Sequence, residues 1–163
     1  MKTLLVIRHA KSSWDNLGAT DEERPLNDRG KRDAPVMAKR VKDRKIKIDC
    51  FVSSPAVRAK KTAAIFMKEY DEKEKNLIIV PSLYEASIKN FNDAVEKFKD
   101  KDHVVALFSH NPGITDFVNT LTEFKVDNMP TCSVFALKVT TKEWKEFRNA
   151  EKEFLFFDYP KKS

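Results

Sequence analysis

Short apolar runs alternate along the chain with segments in which apolar residues recur at the spacing of an amphipathic helix. The first run, Thr3–Ile7, is nearly continuous and is typical of a strand buried on both faces of a sheet. Further strands are predicted at Asp49–Ser53, Leu77–Val80 and Val104–Phe108, of which the last is the most apolar and therefore the central one. The pattern predicts an α/β fold with three layers, α/β/α, in which a mostly parallel central sheet is flanked by helices.

The segments between the predicted strands contain signals for helix starts. Asn27 is a predicted N-cap, and the apolar positions after it follow helical spacing up to Val41. Pro35 lies inside that pattern, so we expect this helix to begin late or to be kinked. Ser54 and Asn111 each precede a proline, a combination that predicts an N-cap followed by proline at the first helical position.

The last part of the chain has a less regular pattern. It predicts one or two further strands, or a hairpin near a sheet edge, at Cys132–Val139 and Trp144–Phe157. No internal repeat, low-complexity stretch or linker interrupts the sequence. Because 163 residues are enough for one sizeable core and too few for two, we expect a single domain over residues 1–163.

Composition and charge exclude several classes of protein. The first apolar run is too short for a signal peptide or a membrane span, so we expect a cytoplasmic protein without membrane contact. Cys50 and Cys132 lie far apart without CxxC spacing, which argues against a disulfide scaffold and a structural zinc site. The net charge of +6 is typical of a solvated face and would also attract anionic substrates. Basic residues are not interleaved with aromatic ones, so a nucleic-acid partner is not favoured.

Candidate chemistry is concentrated just after the predicted strands. Arg8 and His9 follow the first strand, and Arg58 lies in the first turn after the second. Glu85 follows the third strand, and His110 follows the most apolar one. Because ligands of open α/β sheets bind outside the carboxyl ends of the strands, we expect these five residues to lie at one edge of the sheet.

This set of side chains points to a phosphoryl group as ligand. Guanidinium groups match the oxygens of phosphate, and helix amino termini at Ser54 and Asn111 would add backbone donors on the same side. A neutral imidazole can attack phosphorus and form a covalent phosphohistidine, while a second histidine stabilises the transition state. The arginines and histidines supply the positive charge that a metal would otherwise provide, so we expect that no metal is required.

Four segments, in the same order along the chain, resemble motifs of branch 1 of the histidine phosphatase (phosphoglycerate-mutase-like) superfamily. The length of the chain and its segments 24–26 and 110–112 are similar to the small bacterial phosphohistidine phosphatases. The four segments correspond to the family's Arg-His-Gly, Leu-Thr-x-x-Gly, second-arginine and second-histidine motifs, and here read Arg8-His9-Ala10, Leu26-Asn27-Asp28-Arg29-Gly30, Ser53-Ser54-Pro55-Ala56-Val57-Arg58-Ala59 with Thr62-Ala63, and Ser109-His110-Asn111-Pro112.

The resemblance implies a role for each matching residue. His9 becomes the nucleophile, and Arg8, Arg58 and His110 become the phosphate pocket of a phosphoglycerate-mutase-like fold that needs no metal or organic cofactor. Glu85 falls near the superfamily's usual proton donor. The small phosphohistidine phosphatases can lack that acid, because a protonated imidazole is already a good leaving group whereas an alkoxide needs a proton delivered.

Asp15 departs from the mutase pattern, since it stands where mutases carry an asparagine that contacts phosphate. Either Asp15 points away from the ligand or Asn16 takes that role, and both outcomes argue against a mutase.

Three further residues are candidates for substrate binding: Ser12, Arg24 and Asn111. Arg24 contacts phosphate at the rim or forms a salt bridge with the acids of segment 21–23, and Ser12 donates to phosphate or is merely solvated.

The favoured function is hydrolysis of phosphohistidine on a protein through a covalent phospho-His9 intermediate, with inorganic phosphate as product. An alternative keeps this chemistry but acts on a small phosphomonoester, with Glu85 as the proton donor. A more remote alternative is a phosphate-binding module without catalysis, which would predict a degenerate site, yet His9, Arg8, Arg58 and His110 are all present.

Overall fold

Six strands form one mixed sheet in the computed structural model, which describes residues 1–15 and 18–162. The strands are β1 Lys2–Arg8, β2 Cys50–Ser53, β3 Ile78–Ile79, β4 Val104–Ser109, β5 Val134–Thr140 and β6 Glu151–Asp158. Their order across the sheet is β3-β2-β4-β1-β5-β6. The first four neighbours are parallel, β5 is antiparallel to β1, and β6 is antiparallel to β5. The predicted α/β fold with a mostly parallel sheet is therefore confirmed.

Helices cover both faces of this sheet. They are α1 Asp28–Asp43, α2 Val57–Glu69, α3 Ile88–Glu96 and α4 Gly113–Val118, with single 3₁₀ turns at Glu74–Asn76 and Pro81–Leu83 and a longer 3₁₀ segment at Trp144–Asn149. Successive side chains of β1 point to opposite faces, so Leu5 and Ile7 pack with α1 and α2 while Leu4 and Val6 pack with α3 and α4. All four of these side chains are fully buried. Within the described residues, none of the helices is long and apolar enough to span a membrane.

The last part of the chain forms the predicted hairpin at a sheet edge. Strands β5 and β6 pair along their length, and β6 is the outermost strand. The segment between them does not extend either strand, because Trp144 and Phe147 of the 3₁₀ segment are buried in the core.

Helix α1 confirms one prediction and corrects another. The Asn27 side chain accepts a hydrogen bond of 2.9 Å from the backbone of Gly30, as expected of an N-cap. The helix nevertheless begins at Asp28 and continues through Pro35, so the predicted late start is wrong. The buried side chains at Ala34 and Met37 show that packing of this face outweighs the lost backbone hydrogen bond of proline.

The predicted helix starts at Ser54 and Asn111 are also wrong. Helix α2 begins at Val57 and α4 at Gly113, and neither has a side-chain cap. The two polar side chains have other partners that compete for the same atoms. The Ser54 hydroxyl lies 2.6 Å from His110 Nε2. The Asn111 side chain accepts from the Thr115 hydroxyl at 2.5 Å through Oδ1 and donates from Nδ2 to Asn128 Oδ1 at 2.7 Å. These side chains therefore connect separate elements at the carboxyl edge of the sheet instead of providing free helix ends for an anion.

Candidate active site

The carboxyl ends of β1, β2 and β4 and the segment after β3 surround one cavity of about 640 Å³. Its wall contains all eight site residues that the sequence predicts, which come from five separate parts of the chain. These residues are Arg8, His9, Ser12, Arg24, Arg58, Glu85, His110 and Asn111.

His9 follows β1 directly and is held in one tautomer by the backbone. Its Nδ1 lies 2.7 Å from the carbonyl oxygen of Ala10. Because a carbonyl oxygen can only accept, Nδ1 carries the proton and Nε2 keeps its lone pair. Arg58 Nε lies 3.4 Å from this Nε2, which makes the lone pair a neighbour of a guanidinium group.

The segment after His9 is fixed by a second contact. The backbone N–H of Ala10 donates to the Thr62 hydroxyl at 2.9 Å, and that hydroxyl donates to the Arg58 carbonyl oxygen at 2.8 Å. One threonine of α2 therefore ties the histidine-bearing segment to the arginine-bearing turn.

Both cavity histidines are neutral near pH 7. Burial lowers the pKa of His9 from 6.5 to about 3, and the nearby positive charges of Arg58 and Arg8 act in the same direction. Burial, followed by the charge of Arg58, also lowers the pKa of His110 to about 3. A neutral imidazole with a free lone pair is the form that can act as a nucleophile.

These lowered pKa values predict that acid destabilises the fold. Between pH 7 and pH 5 the unfolded chain protonates histidines that the folded chain keeps neutral, so the free energy of unfolding decreases as the pH falls. The expected loss at pH 5 is on the order of 2 kcal/mol for each of the two buried rings. Urea unfolding at pH 7 and pH 5 measures this loss, and His110→Gln should reduce it by about half. A stability that does not change between these pH values would contradict the prediction.

His110 follows β4 and faces His9 across the cavity, with 5.0 Å between the ring centroids. Its Nε2 lies 2.6 Å from the Ser54 hydroxyl, which already accepts from the backbone N–H of Ala56 and is therefore free to donate to the ring. The other ring nitrogen, Nδ1, is buried and has no partner within the described part of the chain. The ring is held by Ser54, the residue that follows β2, and its Nδ1 has no partner among the described residues.

Asp21 is the cavity residue that the sequence reasoning missed as a site residue. Its carboxylate lies 3.0 Å from Arg58 Nη2 and 2.7 Å from Arg24 Nη1, and it accepts a hydrogen bond of 2.5 Å from the Tyr84 hydroxyl. Arg58 Nη1 also donates to the Asp21 carbonyl oxygen at 2.6 Å. The hydrogen bond from Tyr84, and then those from Arg24 and Arg58, hold the pKa of Asp21 well below its usual value.

Arg24 forms the predicted ion pair and also lines the cavity. Besides Asp21, its side chain donates to the Ser13 carbonyl oxygen at 3.1 Å and to the Ser12 hydroxyl. Its guanidinium group stacks on Trp14, 3.2 Å from the ring centroid, so this exposed indole forms part of the cavity wall. A contact between Arg24 or Ser12 and phosphate stays a prediction.

The remaining predicted residues differ in how firmly they are held. Arg8 donates from Nη1 to the Met129 carbonyl oxygen at 2.8 Å, and its buried Nε has no partner among residues 1–15 and 18–162. Glu85 is exposed and lies on a backbone with a φ of 53°, in the turn after the short helical segment that follows β3. Asp15 is exposed and does not belong to the described cavity wall, whereas Asn16 lies outside the described residues.

No group of three or more His, Cys, Asp or Glu side chains in the described ranges is arranged to hold a metal ion. The carboxylate closest to the cavity arginines, Asp21, is already paired with them.

Comparison with known proteins identifies the family. The model of the histidine phosphatase superfamily (branch 1) matches residues 4–97, which is more than half of the chain. An uncharacterized chloroplastic protein of Arabidopsis thaliana is 26% identical over 153 residues, which cover 89% of this chain and 70% of that protein. A 2,3-bisphosphoglycerate-dependent phosphoglycerate mutase of Bartonella henselae is 30% identical over 102 residues, 61% of this chain and 48% of the mutase. The chain thus spans about half the length of that mutase.

The fold is shared over nearly the whole chain. The structure of the protein histidine phosphatase SixA complexed with tungstate superposes with a TM-score of 0.80 at 20% identity and covers 97% of both chains. The predicted phosphoglycerate-mutase-like architecture is thereby confirmed. Since the family model spans the segments that carry Arg8, His9 and Arg58, the chain belongs to branch 1 of the histidine phosphatase superfamily and is a phosphatase of that family.

Proposed function

We propose that the chain removes the phosphoryl group from phosphohistidine on a protein, through a covalent phospho-His9 intermediate and without a metal or organic cofactor. The observation that carries this proposal is the unprotonated Nε2 of a neutral His9 inside a cavity that also contains two unpaired donors. The protein histidine phosphatase SixA, whose fold the chain shares, was solved with the oxyanion tungstate, which supports a phosphoryl ligand.

The phosphoryl group is held between Arg8, Arg58 and His110. Buried hydrogen-bond donors are rarely left without a partner, because each one costs free energy in the folded state. Arg8 Nε and, with Ser54 donating to its other nitrogen, His110 Nδ1 are two such donors in this cavity wall. The oxygens of a bound phosphoryl group would satisfy both of them and would also neutralise the charge of the guanidinium groups.

Transfer then proceeds by in-line attack of His9 Nε2 on phosphorus. The new N–P bond forms as the P–N bond to the substrate imidazole breaks, and that imidazole, protonated on its other nitrogen, leaves as a neutral ring. The proton of His9 stays on Nδ1 throughout, where it is hydrogen bonded to the Ala10 carbonyl oxygen. The phosphorylated His9 ring is therefore positively charged, which makes it a good leaving group when water attacks phosphorus in the second step. Inorganic phosphate departs, and His9 regains its lone pair.

Hydrolysis of a small phosphomonoester is the second candidate, and the position of Glu85 favours it. This carboxylate lines the same cavity and could deliver the proton that an alkoxide leaving group needs. Because Glu85 is exposed and makes no ion pair with another described residue, no contact fixes it toward a leaving group. We therefore expect it to be dispensable for phosphohistidine.

Comparative turnover separates these candidates. The purified chain, without added metal, is assayed on a phosphohistidine peptide and on a panel of sugar phosphates and nucleotides, with Glu85→Gln beside the wild type. We expect the peptide to be the preferred substrate and Glu85→Gln to change its kcat/KM by less than about twofold, since a protonated imidazole leaves without an acid. Asp116→Asn, which removes another exposed carboxylate from the same cavity wall, is the matched control.

Three other results would reject the proposal. A preference for phosphomonoesters that is lost in Glu85→Gln but kept in Asp116→Asn would identify a small-molecule phosphatase with Glu85 as its acid. A preference for phosphomonoesters with equal losses in both variants would identify a small-molecule phosphatase in which the losses reflect the charge of the cavity and not an acid at Glu85. No turnover on any of these substrates would favour a phosphate-binding module.

A further inference from the structure

Two of the three cavity arginines, Arg58 and Arg24, already hold an anion, which is the carboxylate of Asp21. Arg58 directs both terminal nitrogens at this residue, one to the carboxylate at 3.0 Å and one to its carbonyl oxygen at 2.6 Å. Arg24 adds a contact of 2.7 Å to the other carboxylate oxygen. A phosphoryl group that uses the same guanidinium edge must therefore replace a negative charge that belongs to the protein.

The carboxylate is the exchangeable member of this cluster. The side chain of Asp21 is 46% exposed, whereas those of Arg24 and Arg58 are 11% and 7% exposed. Arg24 is held independently of Asp21 by the Ser13 carbonyl oxygen and the Ser12 hydroxyl. When the carboxylate leaves, water can solvate it at once, while the buried guanidinium groups stay in place for the next anion.

We propose that Asp21 is a specificity-determining residue: an internal counter-anion that competes with phosphate for Arg58 and Arg24, so that small phosphate ions bind weakly and protein-borne phosphoryl groups are favoured. The inference rests on the proposed function. A free phosphate ion gains only the contacts in the cavity, and the free energy of these contacts must compensate for the lost ion pairs of Asp21 with Arg58 and Arg24. A phosphorylated protein makes further contacts outside the cavity, and these supply the remaining binding free energy.

The competition also affects the end of the reaction. Inorganic phosphate is the product that remains in the cavity after hydrolysis of the covalent intermediate. As Asp21 returns to Arg58 and Arg24 it replaces this product, so weak product inhibition is a second consequence of the same contact. Tyr84 assists the return, because its hydroxyl donates to the Asp21 carboxylate at 2.5 Å.

A positioning role for Asp21 predicts the opposite sign. If the carboxylate only oriented Arg58 for catalysis, its removal would disorder the guanidinium group and weaken phosphate binding. If it competes, its removal strengthens phosphate binding. Asp21→Asn is suited to this comparison, since the amide keeps the size of the side chain and an oxygen that accepts from Tyr84, but loses the charge that pairs with the arginines.

The experiment is a calorimetric titration of inorganic phosphate into wild type, Asp21→Asn and Asp116→Asn at pH 7.5 and low ionic strength. Asp116→Asn removes the same charge from another exposed carboxylate of the cavity wall, one for which no arginine partner occurs in the described part of the chain. We expect Asp21→Asn to lower the Kd for phosphate about tenfold, which corresponds to about 1.4 kcal/mol, and Asp116→Asn to change it by less than about twofold. The same ratio should appear in the inhibition constant of phosphate during turnover.

An unchanged or weaker affinity in Asp21→Asn overturns the proposal, and so does an equal gain in both variants. The binding measurement needs no substrate, so it is independent of the phosphohistidine assay. If Asp21→Asn binds phosphate more tightly but the wild type has no activity on phosphohistidine, the proposed function fails while competition by Asp21 stands. If the wild type is active and the affinity does not increase, only the inference about Asp21 fails.

Discussion

Replacing His9 by alanine is expected to lower kcat/KM for a phosphohistidine peptide by roughly 10⁴-fold or more, since removal of a nucleophile eliminates the covalent route altogether. Among residues 1–15 and 18–162, the cavity wall contains one other imidazole. The nearest imidazole, His110, lies across the cavity and is hydrogen bonded through Nε2 to Ser54. In the proposed mechanism the loss appears in kcat, because Arg8 and Arg58 would still bind the phosphoryl group.

The covalent phospho-His9 intermediate can be tested directly by trapping it. Rapid quenching of the wild type with a phosphohistidine peptide labelled in the phosphoryl group should give an acid-labile, base-stable label on the protein, and His9→Ala should give none. His103→Ala is the matched control, since this exposed histidine lies before β4, away from the described wall of the cavity. Circular dichroism and thermal unfolding are used to check that both variants are folded. Near-normal turnover in His9→Ala, or a label that persists in it, would reject the mechanism.

The hydrophobic pattern predicted the fold because a strand that is buried on both faces needs a nearly continuous run of apolar residues, which is visible in the sequence. The residues of Thr3–Ile7 are almost all apolar, and the strand they form lies between two other strands with helices on both faces. The pattern was less informative at Leu77–Val80, where only Ile78–Ile79 pair in the sheet. Both of these side chains are exposed at the sheet edge, so the run does not mark a buried strand. Apolar composition alone does not distinguish an edge from a centre.

The site was predictable where residues follow strands directly. His9 and His110 are placed by the ends of β1 and β4, and Arg58 by the first turn of α2, which follows β2. Parallel strands bring their carboxyl ends to one edge. The contacts between loops were not predictable. Tyr84 and Asp21 are 63 residues apart, and no periodicity relates them.

The contact of Ser54 with His110 was likewise not predictable from the sequence. The serine was assigned to a helix cap because its neighbour is a proline, yet its hydroxyl orients His110, 56 residues away. A local signal for the Asp21 contact did exist, since a carboxylate three residues before an arginine in the same loop is placed to pair with it. Nothing in the sequence indicated that the same carboxylate would reach Arg58.

The balance of charge in the cavity follows from these loop contacts. Two neutral histidines contribute no charge, so the attraction for a phosphoryl group comes from the arginines. Asp21 cancels part of that attraction until it is displaced. In the proposed mechanism the neutral His9 and the Asp21 carboxylate have complementary consequences: His9 keeps a lone pair available at neutral pH, and Asp21 limits how tightly the product binds.

Gly30→Ala is expected to lower the free energy of unfolding by roughly 2–3 kcal/mol, because a Cβ at this position has no room. It would lie less than 3.0 Å from the carbonyl oxygen of Lys11, an atom of the segment that follows His9. That oxygen also accepts from the backbone N–H of Asn27 at 3.0 Å, so the first turn of α1 and the histidine segment are in direct backbone contact. A backbone clash cannot be relieved by rotating a side chain, so one of the two segments must move.

The sign of the change in unfolding free energy tests whether Gly30 is packed too closely against Lys11 to accept a Cβ. Gly30 lies in the first turn of α1, where alanine is the better helix former by about 1 kcal/mol, so without the clash the substitution would stabilise the protein. Lys31→Ala, at the next and exposed position, serves as the control and should change stability by less than about 0.5 kcal/mol. Urea unfolding measures both variants. Turnover of the folded Gly30→Ala protein should also decrease, since displacement of Lys11 moves the segment that follows His9 and that is held by the contact of Ala10 with Thr62. A more stable Gly30→Ala protein with unchanged turnover would mean that the approach of α1 to this segment does not position the nucleophile.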